Sequence, residues 1–299
     1  MPELPEVQTI ISDLQSIVGE QFTGFFTDFS KAIKNISVSA FTKEIENQKI
    51  TKINRLGKII LIRLENEKNI AIHLKMTGKL ILIDHKTWNI EHGTWVMGHK
   101  KNTTNKSGTV DRELKNLPKH LHHIFFLKNS VLEFHDVRKF ATISLLDDGD
   151  IAIIKNNYGV DPITDTFSLK QFSDLIIKGK TRQIKEVLMN NALILGIGNI
   201  YASEILFNAH ILPSRQADSL SKNEVAALHI SVKKILTKAI ALRGTSVSDY
   251  RDANGKAGSF QNHLHVYRKH TQECKKCATI ISRSVISGRS TFFCTQCQK

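Results

Sequence analysis

The sequence predicts a multidomain α+β protein: a β-rich first part, a helical second part and a small metal-held hairpin at the end. Three observations lead there. From about residue 22 to 147, short runs of β-branched and aromatic residues recur between turn signals. Further on, apolar residues recur at three- and four-residue spacing, and four cysteines close the chain as two C-x2-C pairs. With 299 residues the chain is long enough for two domains with their own cores and a small third module.

The chain opens MPELPEV, with two of its five prolines inside the first five residues. Val7, Ile10, Ile11, Leu14, Ile17 and Val18 then mark one apolar helix face, with Pro5 near its first turn and Gly19 as its end. The runs FTGFFTDF, KITKINR, KIILIRL, NIAIHLKM, KLILI, HIFFL, VLEFHDV and ATISLL read as strands of a sandwich or flattened barrel. Residues 85–117 break this rhythm. Polar, aperiodic and carrying KKNTTNKSG, they predict a long loop or mobile insertion. A linker at DDGDIAIIKNNYGVDPITDT leads to helices at SLKQFSDLIIKG, TRQIKEVLMNN and NIYASEILFNA. A longer helix over SKNEVAALHISVKKILTKAIALRG opens with a Ser221/Glu224 capping box and closes near Gly244. The expected domains are 1–150, 151–260 and 261–299.

Charge narrows the partners. Lys and Arg number 42 against 28 Asp and Glu, a formal net charge of +14, which favours a polyanion and nucleic acid first, with a generally basic surface as the plain alternative. Glu3, Glu6 and Asp13 interrupt any signal-peptide core, and ALILGIGNIYA is too short and Gly-rich to span a bilayer. A cytoplasmic protein with no membrane partner is expected. There, cysteines serve as metal ligands or free thiols more readily than as disulfides.

Cys274 and Cys277 form one pair, and Cys294 and Cys297 the other after sixteen intervening residues. Each pair fits a tight turn and four thiolates complete a tetrahedron, so the spacing predicts one structural zinc ion, although iron accepts the same ligands. Four incidental thiols or a redox pair is the competing reading. TIISRSVI and RSTFFC between the pairs are β-like, which predicts a hairpin rather than a helical finger. Arg289 stands on the SGRS turn, either reaching a phosphate or simply solvated.

The opening has its own chemistry. Proline at position 2 predicts removal of Met1, leaving Pro2 with a free secondary amine. An α-amino group, with a reference pKa of about 7.7 to 8.0, is neutral far more often at pH 7 than a lysine near 10.4. With a sugar aldehyde carbon such an amine gives an iminium ion that has no N–H to lose, a fixed electron sink. Glu3 and Glu6 beside it can shuttle protons, and a carboxylate at a helix start also complements the dipole. The bland reading of PELPE is a well-capped helix start.

MPELPEV, GIGNIYASE, GKAGSFQNHLHVY and GRSTFFCTQCQK together resemble the bacterial formamidopyrimidine-DNA glycosylase family over nearly the whole chain except 85–117. Leu4 stands where the related endonuclease VIII group usually has glycine, so the resemblance is to the formamidopyrimidine branch. It implies an N-terminal β-sandwich, a helical domain with a helix-two-turn-helix and a C-terminal zinc β-ribbon, with DNA in the cleft between. The implied activity is base-excision removal of oxidised purines (8-oxoguanine and formamidopyrimidines) followed by β,δ-elimination at the abasic site. The implied partner is double-stranded DNA carrying oxidised purines or abasic sites, met by a monomer near the bacterial nucleoid.

By the same resemblance Pro2 is the nucleophile at the sugar C1′, Glu3 its acid partner and Glu6 a support. Lys58 in RLGKIIL is the proton donor of β-elimination, and Arg289 serves phosphate contact and δ-elimination. On residue type alone, Lys58 beside an apolar strand could merely reach solvent. Asn199, Lys180 and His120 are implied contacts to DNA. Met76, Arg138 and Phe140 are the implied fillers of the space an extruded base leaves. The family usually writes DPRRFG where this chain has DVRKFA, which puts that loop's conformation in question. A non-catalytic DNA-binding protein on the same scaffold is the alternative, and the joint presence of Pro2, Glu3 and Lys58 argues against it. A zinc-ribbon RNA-binding protein is a third reading.

Overall fold

The N-terminal half is a two-sheet sandwich, seen in a computed structural model that describes residues 1–92 and 117–299. Helix α1 (Leu4–Leu14) carries Pro5 in its first turn, and its apolar stripe is fully buried. The helix tightens into a 3-10 turn over Gln15–Ile17 before Gly19 ends it at φ +92°, so it stops short of the Val18 end that the spacing predicts. The strands follow as β1 (Phe22–Thr27), β2 (Ile33–Lys34), β3 (Ile50–Leu56), β4 (Ile59–Leu64), β5 (Asn69–His73), β6 (Gly78–Asp84), β7 (Leu121–Leu127), β8 (Ser130–Asp136) and β9 (Thr142–Leu146). One sheet runs β2-β9-β5-β4-β3 and the other β1-β7-β8-β6. All pairings are antiparallel except the short β2–β9 ladder.

Strand periodicity decides what each face touches. In β4, Ile60, Ile62 and Leu64 enter the core between the sheets with Phe125, Leu132 and Phe134 of the opposite sheet and Val7, Ile10 and Leu14 of α1. Leu61 faces the other way, onto Leu56, Ala71, Ile151 and Leu195. Both faces of the sheet are therefore covered, which is why KIILIRL reads as continuously apolar rather than alternating.

Three segments expected as strand or loop are helical. Val38–Ile45 forms α2, capped by the Ser37 hydroxyl and buried through Phe41 and Ile45 one turn apart. The expected linker contains α4 (Asp148–Asn156), opened by a reciprocal Asp147–Asp150 capping box. The expected insertion begins not as loop but as α3 (His85–His92), and the Asp84 carboxylate accepts the Thr87 N–H at 2.9 Å at its start. The reason is Trp88. Its ring lies edge-on to Phe126 at 5.4 Å in a cluster with Ile124 and Val131, covering the outer face of the second sheet. Its indole N–H donates to Glu133 Oε1 at 2.8 Å. The rest of the expected insertion lies outside the described residues.

The second half is built from α5 (Leu169–Gly179), α6 (Ile184–Met189), α7 (Asn199–Asn208) and α8 (Lys222–Ala241), at the expected places. Ser221 and Glu224 form the predicted capping box, and Gly244, at φ +79°, donates its N–H to Ala239 O beyond the helix end. Helix α7 is apolar nearly all round and runs through the middle, with Tyr201, Ile205 and Leu206 in the helical core and Phe207 in the core of the C-terminal hairpin. That hairpin is β10 (Ser282–Ile286) paired with β11 (Arg289–Phe293). Glu204 of α7 is buried beneath it and accepts the N–H groups of His265, Val266 and Tyr267 at 2.8 to 3.0 Å. Burial raises its pKa while these three donors oppose the rise.

If Trp88 is what makes α3 part of the fold, Trp88→Ala lowers stability by about 3 to 5 kcal/mol, since it removes a fully buried ring and leaves Glu133 without its indole donor. Urea midpoints of the two proteins measure it, and a change within ~0.5 kcal/mol would refute the assignment.

Candidate active site

The first residues of the chain are sewn into the turn that precedes α7. Leu4 N–H donates to Gly196 O at 3.0 Å. The Glu3 carboxylate sits on the helix N terminus: Oε2 accepts from Gly198 N at 2.8 Å and Tyr201 N at 3.3 Å, and Oε1 from Ile200 N at 2.9 Å. These are donors that a helix start otherwise leaves unpaired, and the helix dipole favours the negative charge there. The approach is close enough to require glycine. A Cβ on Gly196 would lie 2.6 Å from Leu4 Cβ, and one on Gly198 would lie 2.4 Å from the Glu3 carboxyl carbon. The two glycines of GIGN are thus explained by the N-terminal segment pressed against them.

Lys58, in the turn between β3 and β4, reaches the same place. It is buried, and its Nζ donates to Ile197 O at 3.2 Å, one residue before the Gly198 N–H that Glu3 holds. Burial lowers its pKa, the Glu3 and Glu6 carboxylates raise it and Arg289 lowers it further, with a net downward shift. Lys58 does not extend to solvent.

Glu6 forms a second junction behind Glu3. Its carboxylate accepts from Glu3 N at 2.7 Å, from Thr245 N at 2.7 Å and from the Tyr201 hydroxyl. Tyr201 Oη also lies 2.8 Å from Thr245 Oγ1. Burial, then the charge of Glu3, raises the Glu6 pKa to about 7 against the pull of those donors. Pro2, buried beside these carboxylates, lines a small cleft with Met1, Met76, Thr77, Gly78, Ile200 and the 245–250 segment. Met1 is itself 38% exposed, and partial burial of its amine is the main cause lowering its pKa.

Two exposed tips are joined to one another, and the first of them lines this cleft. Met76, in the β5–β6 turn, is 42% exposed and Phe140, after β8, is 53% exposed. The Arg138 guanidinium lies over the Phe140 ring at 4.6 Å. One buried carboxylate joins the tips. Asp136 accepts from the Thr77 hydroxyl, from Arg138 N at 3.2 Å and from Ala141 N at 2.8 Å, and its own N–H donates to His120 O at 2.8 Å. Lys139 sits at φ +55° in this frame. The DVRKFA loop therefore has a fixed shape without the proline: Asp136 binds both its start and its end. His120 enters through its backbone, as the half-exposed turn before β7.

The hairpin closes the other side. Lys185 of α6, fully buried, donates through Nζ to Asn199 Oδ1 at 2.6 Å and Thr291 Oγ1 at 2.7 Å. Asn199 Nδ2 in turn donates to Ser290 O at 2.9 Å. The Asn199 side chain thus ties α7 to the strand that begins at Arg289, whereas the sequence reading had it facing a phosphate. Burial first, then Arg289, lowers the Lys185 pKa to about 8, opposed by Glu3. Lys180 stands apart, exposed at the C-terminal end of α5, with its carbonyl accepting Asp218 N. It does not line the cleft.

Sequence reasoning missed Lys185, Tyr201, Thr245 and Asp136. Tyr201 lay within a motif already singled out. Lys185 gave the opposite signal, since a lysine in TRQIKEV reads as solvated and is buried only by a hairpin about a hundred residues later.

The four cysteine Sγ atoms lie within 4.8 Å of one another, with separations of 3.9 Å for Cys274–Cys297, 3.5 Å for Cys277–Cys294 and 3.4 Å for Cys277–Cys297. Zinc bonds to sulfur of about 2.3 Å give a tetrahedron with edges of about 3.8 Å, so the donor set fits such an ion.

Three family models match in succession: the formamidopyrimidine-DNA glycosylase N-terminal domain over residues 1–143, the formamidopyrimidine-DNA glycosylase H2TH domain over 158–251, and a zinc finger found in FPG and IleRS over 272–299. The formamidopyrimidine-DNA glycosylase of Carboxydothermus hydrogenoformans is 36% identical over 300 residues, covering all of both chains. That of Listeria monocytogenes is 35% identical over 304 residues, again with both chains fully covered. Among solved structures, a complex of Lactococcus lactis Fpg with DNA containing an abasic site superposes with a TM-score of 0.82 at 29% identity, covering 99% of each chain. A MutM complex with DNA containing carbocyclic 8-oxo-G gives 0.81 at 29% identity, covering 100% of each.

Glu6 yields a pH test. The unfolded chain releases this proton near 4.5 and the folded chain keeps it to about 7, so folding takes up a proton between those values. Stability falls as pH rises through that window. Glu6→Gln flattens the fall, read from urea midpoints between pH 4.5 and 7, and an unaltered slope in the variant would count against the assignment.

Proposed function

This chain belongs to the formamidopyrimidine-DNA glycosylase family, and from that premise we propose that it is a base-excision DNA glycosylase that also cleaves the resulting abasic strand. The observation that carries the reading is the convergence of Pro2, Glu3, Glu6 and Lys58 at the start of α7, beside a cleft lined by Met76, whose turn is tied through Thr77 and Asp136 to the loop of Arg138 and Phe140. A structural helix cap alone does not require a buried lysine and two buried carboxylates at the same point.

In the proposed sequence of events, Met1 is removed and the Pro2 nitrogen attacks C1′ of an extruded oxidised purine nucleotide. The N-glycosidic bond breaks, the base leaves with a proton and the sugar ring opens to an iminium ion. Glu3, fixed by three backbone N–H groups, is the proton carrier at this step, and Glu6 holds the segment through Glu3 N. A base takes a C2′ proton, its electron pair flows into the iminium sink, and the 3′-phosphate is expelled in β-elimination. Lys58, its pKa lowered by burial, exchanges a proton here. Arg289 serves the second, δ, elimination that releases the 5′-phosphate. The exposed Lys180 and the half-exposed His120 are assigned to the phosphate backbone, Asn199 acts there by tying α7 to the strand of Arg289, and Met76, Arg138 and Phe140 fill the vacated stack. The net charge of +14 supplies sequence-independent attraction for duplex DNA.

We further propose that the protein acts as a monomer in three parts, 1–150, 151–260 and 261–299, with a single structural zinc on Cys274, Cys277, Cys294 and Cys297. Among the described residues no helix is long and apolar enough to cross a membrane. An expected site of action is the nucleoid.

Borohydride reduction during incubation with a duplex containing 8-oxoguanine traps protein and DNA covalently, and Pro2→Gly abolishes the trap with a loss of base release of at least about a thousand-fold. Absence of a trapped species, or full activity in Pro2→Gly, would overturn the lyase reading. Metal analysis finds one zinc per chain. Its removal by a chelator weakens DNA binding while the far-UV signal of the N-terminal sheets remains, and undiminished binding by metal-free protein would argue against a structural ion.

A further inference from the structure

The hairpin that presents Arg289 turns through Ser287 and Gly288, at φ +47° and +69°, between the paired residues Ile286 and Arg289. Two positive φ values suit a two-residue hairpin loop, where Asn or Gly is the usual first residue. Serine has no such ease there, and a strained residue persists only where its surroundings fix it. The Ser287 hydroxyl donates to Glu186 Oε1 of α6. Glu186 is itself fixed, since its Oε2 accepts Gln183 N at 3.3 Å in the capping box of that helix. On the other side of Arg289, the neighbouring Lys185 holds Ser290 O at 3.4 Å and Thr291 Oγ1 at 2.7 Å, and Thr291 Oγ1 donates to Arg289 O at 3.1 Å. Two consecutive residues of one short helix therefore bracket the exposed Arg289.

We infer that Ser287 and Glu186 are positioning residues, which lock the hairpin turn to α6 and so aim the Arg289 guanidinium at the strand-cleavage centre. The inference rests on the δ-elimination role proposed for Arg289. Arg289 is close enough to affect the ionisation of both Lys58 and Lys185, which is consistent with that aim. The pair touches neither the Pro2 cleft nor the cysteines, so at saturating protein, where the phosphate contact of Arg289 does not limit binding, it acts on the second elimination and not on base release.

The test uses the full zinc-bound chain on two duplexes, one with 8-oxoguanine and one with an abasic site. Ser287→Ala and Glu186→Ala each shift the product ratio from the 3′-phosphate of β,δ-elimination toward the β-elimination aldehyde by about five-fold. Base release and borohydride trapping stay within about two-fold of wild type. In Glu186→Gln the single amide oxygen still accepts from Ser287 but the NH2 cannot accept the Gln183 N–H, so the ratio lies between wild type and the alanine variants. The double alanine variant is no worse than either single one. An unchanged ratio in both alanine variants, or base release falling in parallel with the δ product, would overturn the inference. A wild-type protein that yields no δ product overturns the role of Arg289 instead. The lock is then read from amide hydrogen exchange at Ile286 and Arg289, which Ser287→Ala accelerates if the pair holds the turn and leaves unchanged if it does not.

Discussion

The Glu3 carboxylate on the first turn of α7 is the contact on which the rest of the site depends. It joins the first residues of the chain to the centre of the helical half, and everything nearby is arranged by that junction. Three N–H groups are satisfied at once, so removing the carboxylate would leave three buried donors with neither water nor a partner. Lys58 is fixed to the carbonyl of the same peptide unit whose N–H Glu3 holds, which sets the two side chains at opposite poles of one peptide group. The α7 helix thus does more than fill a core: its N terminus positions the first residues of the chain, and its Glu204 and Phe207 anchor the ribbon.

Glu3 and Glu6 are three residues apart, and their surroundings separate them. Glu3 has only backbone donors and lies at the positive end of a helix. Glu6 faces a tyrosine hydroxyl, a threonine N–H and the charge of Glu3, in full burial. Glu6 thereby holds a proton that is exchanged near neutral pH.

Much of the architecture was legible because local pattern and global fold agree. Each of the eight main strands of the sandwich, the four helices α5 to α8 and the cysteine-held hairpin stand where periodicity and turn residues place them. The misses have a common cause in long-range burial. Helix α3 has little apolar content, and only the sheet face around Phe126 gives Trp88 a reason to fold in. Lys185 gave no sign of being buried, because what buries it is residue 291. Asp136 looked like a turn residue, yet its carboxylate connects two tips that are 59 residues apart in the chain, as the Thr77 bond shows. Of the departures from DPRRFG, Val137 and Lys139 project outward while Ala141 packs into the core, and the acid that shapes the loop is kept.

The bonds from Glu6 to Tyr201 and Thr245 span 195 and 239 residues. At a synthesis rate of roughly 5 to 20 residues per second, the ribosome takes on the order of 10 to 50 s to make the chain between them. During that interval the leading residues have no cleft to enter, so the segment that bears Pro2 docks only after residue 245 has emerged.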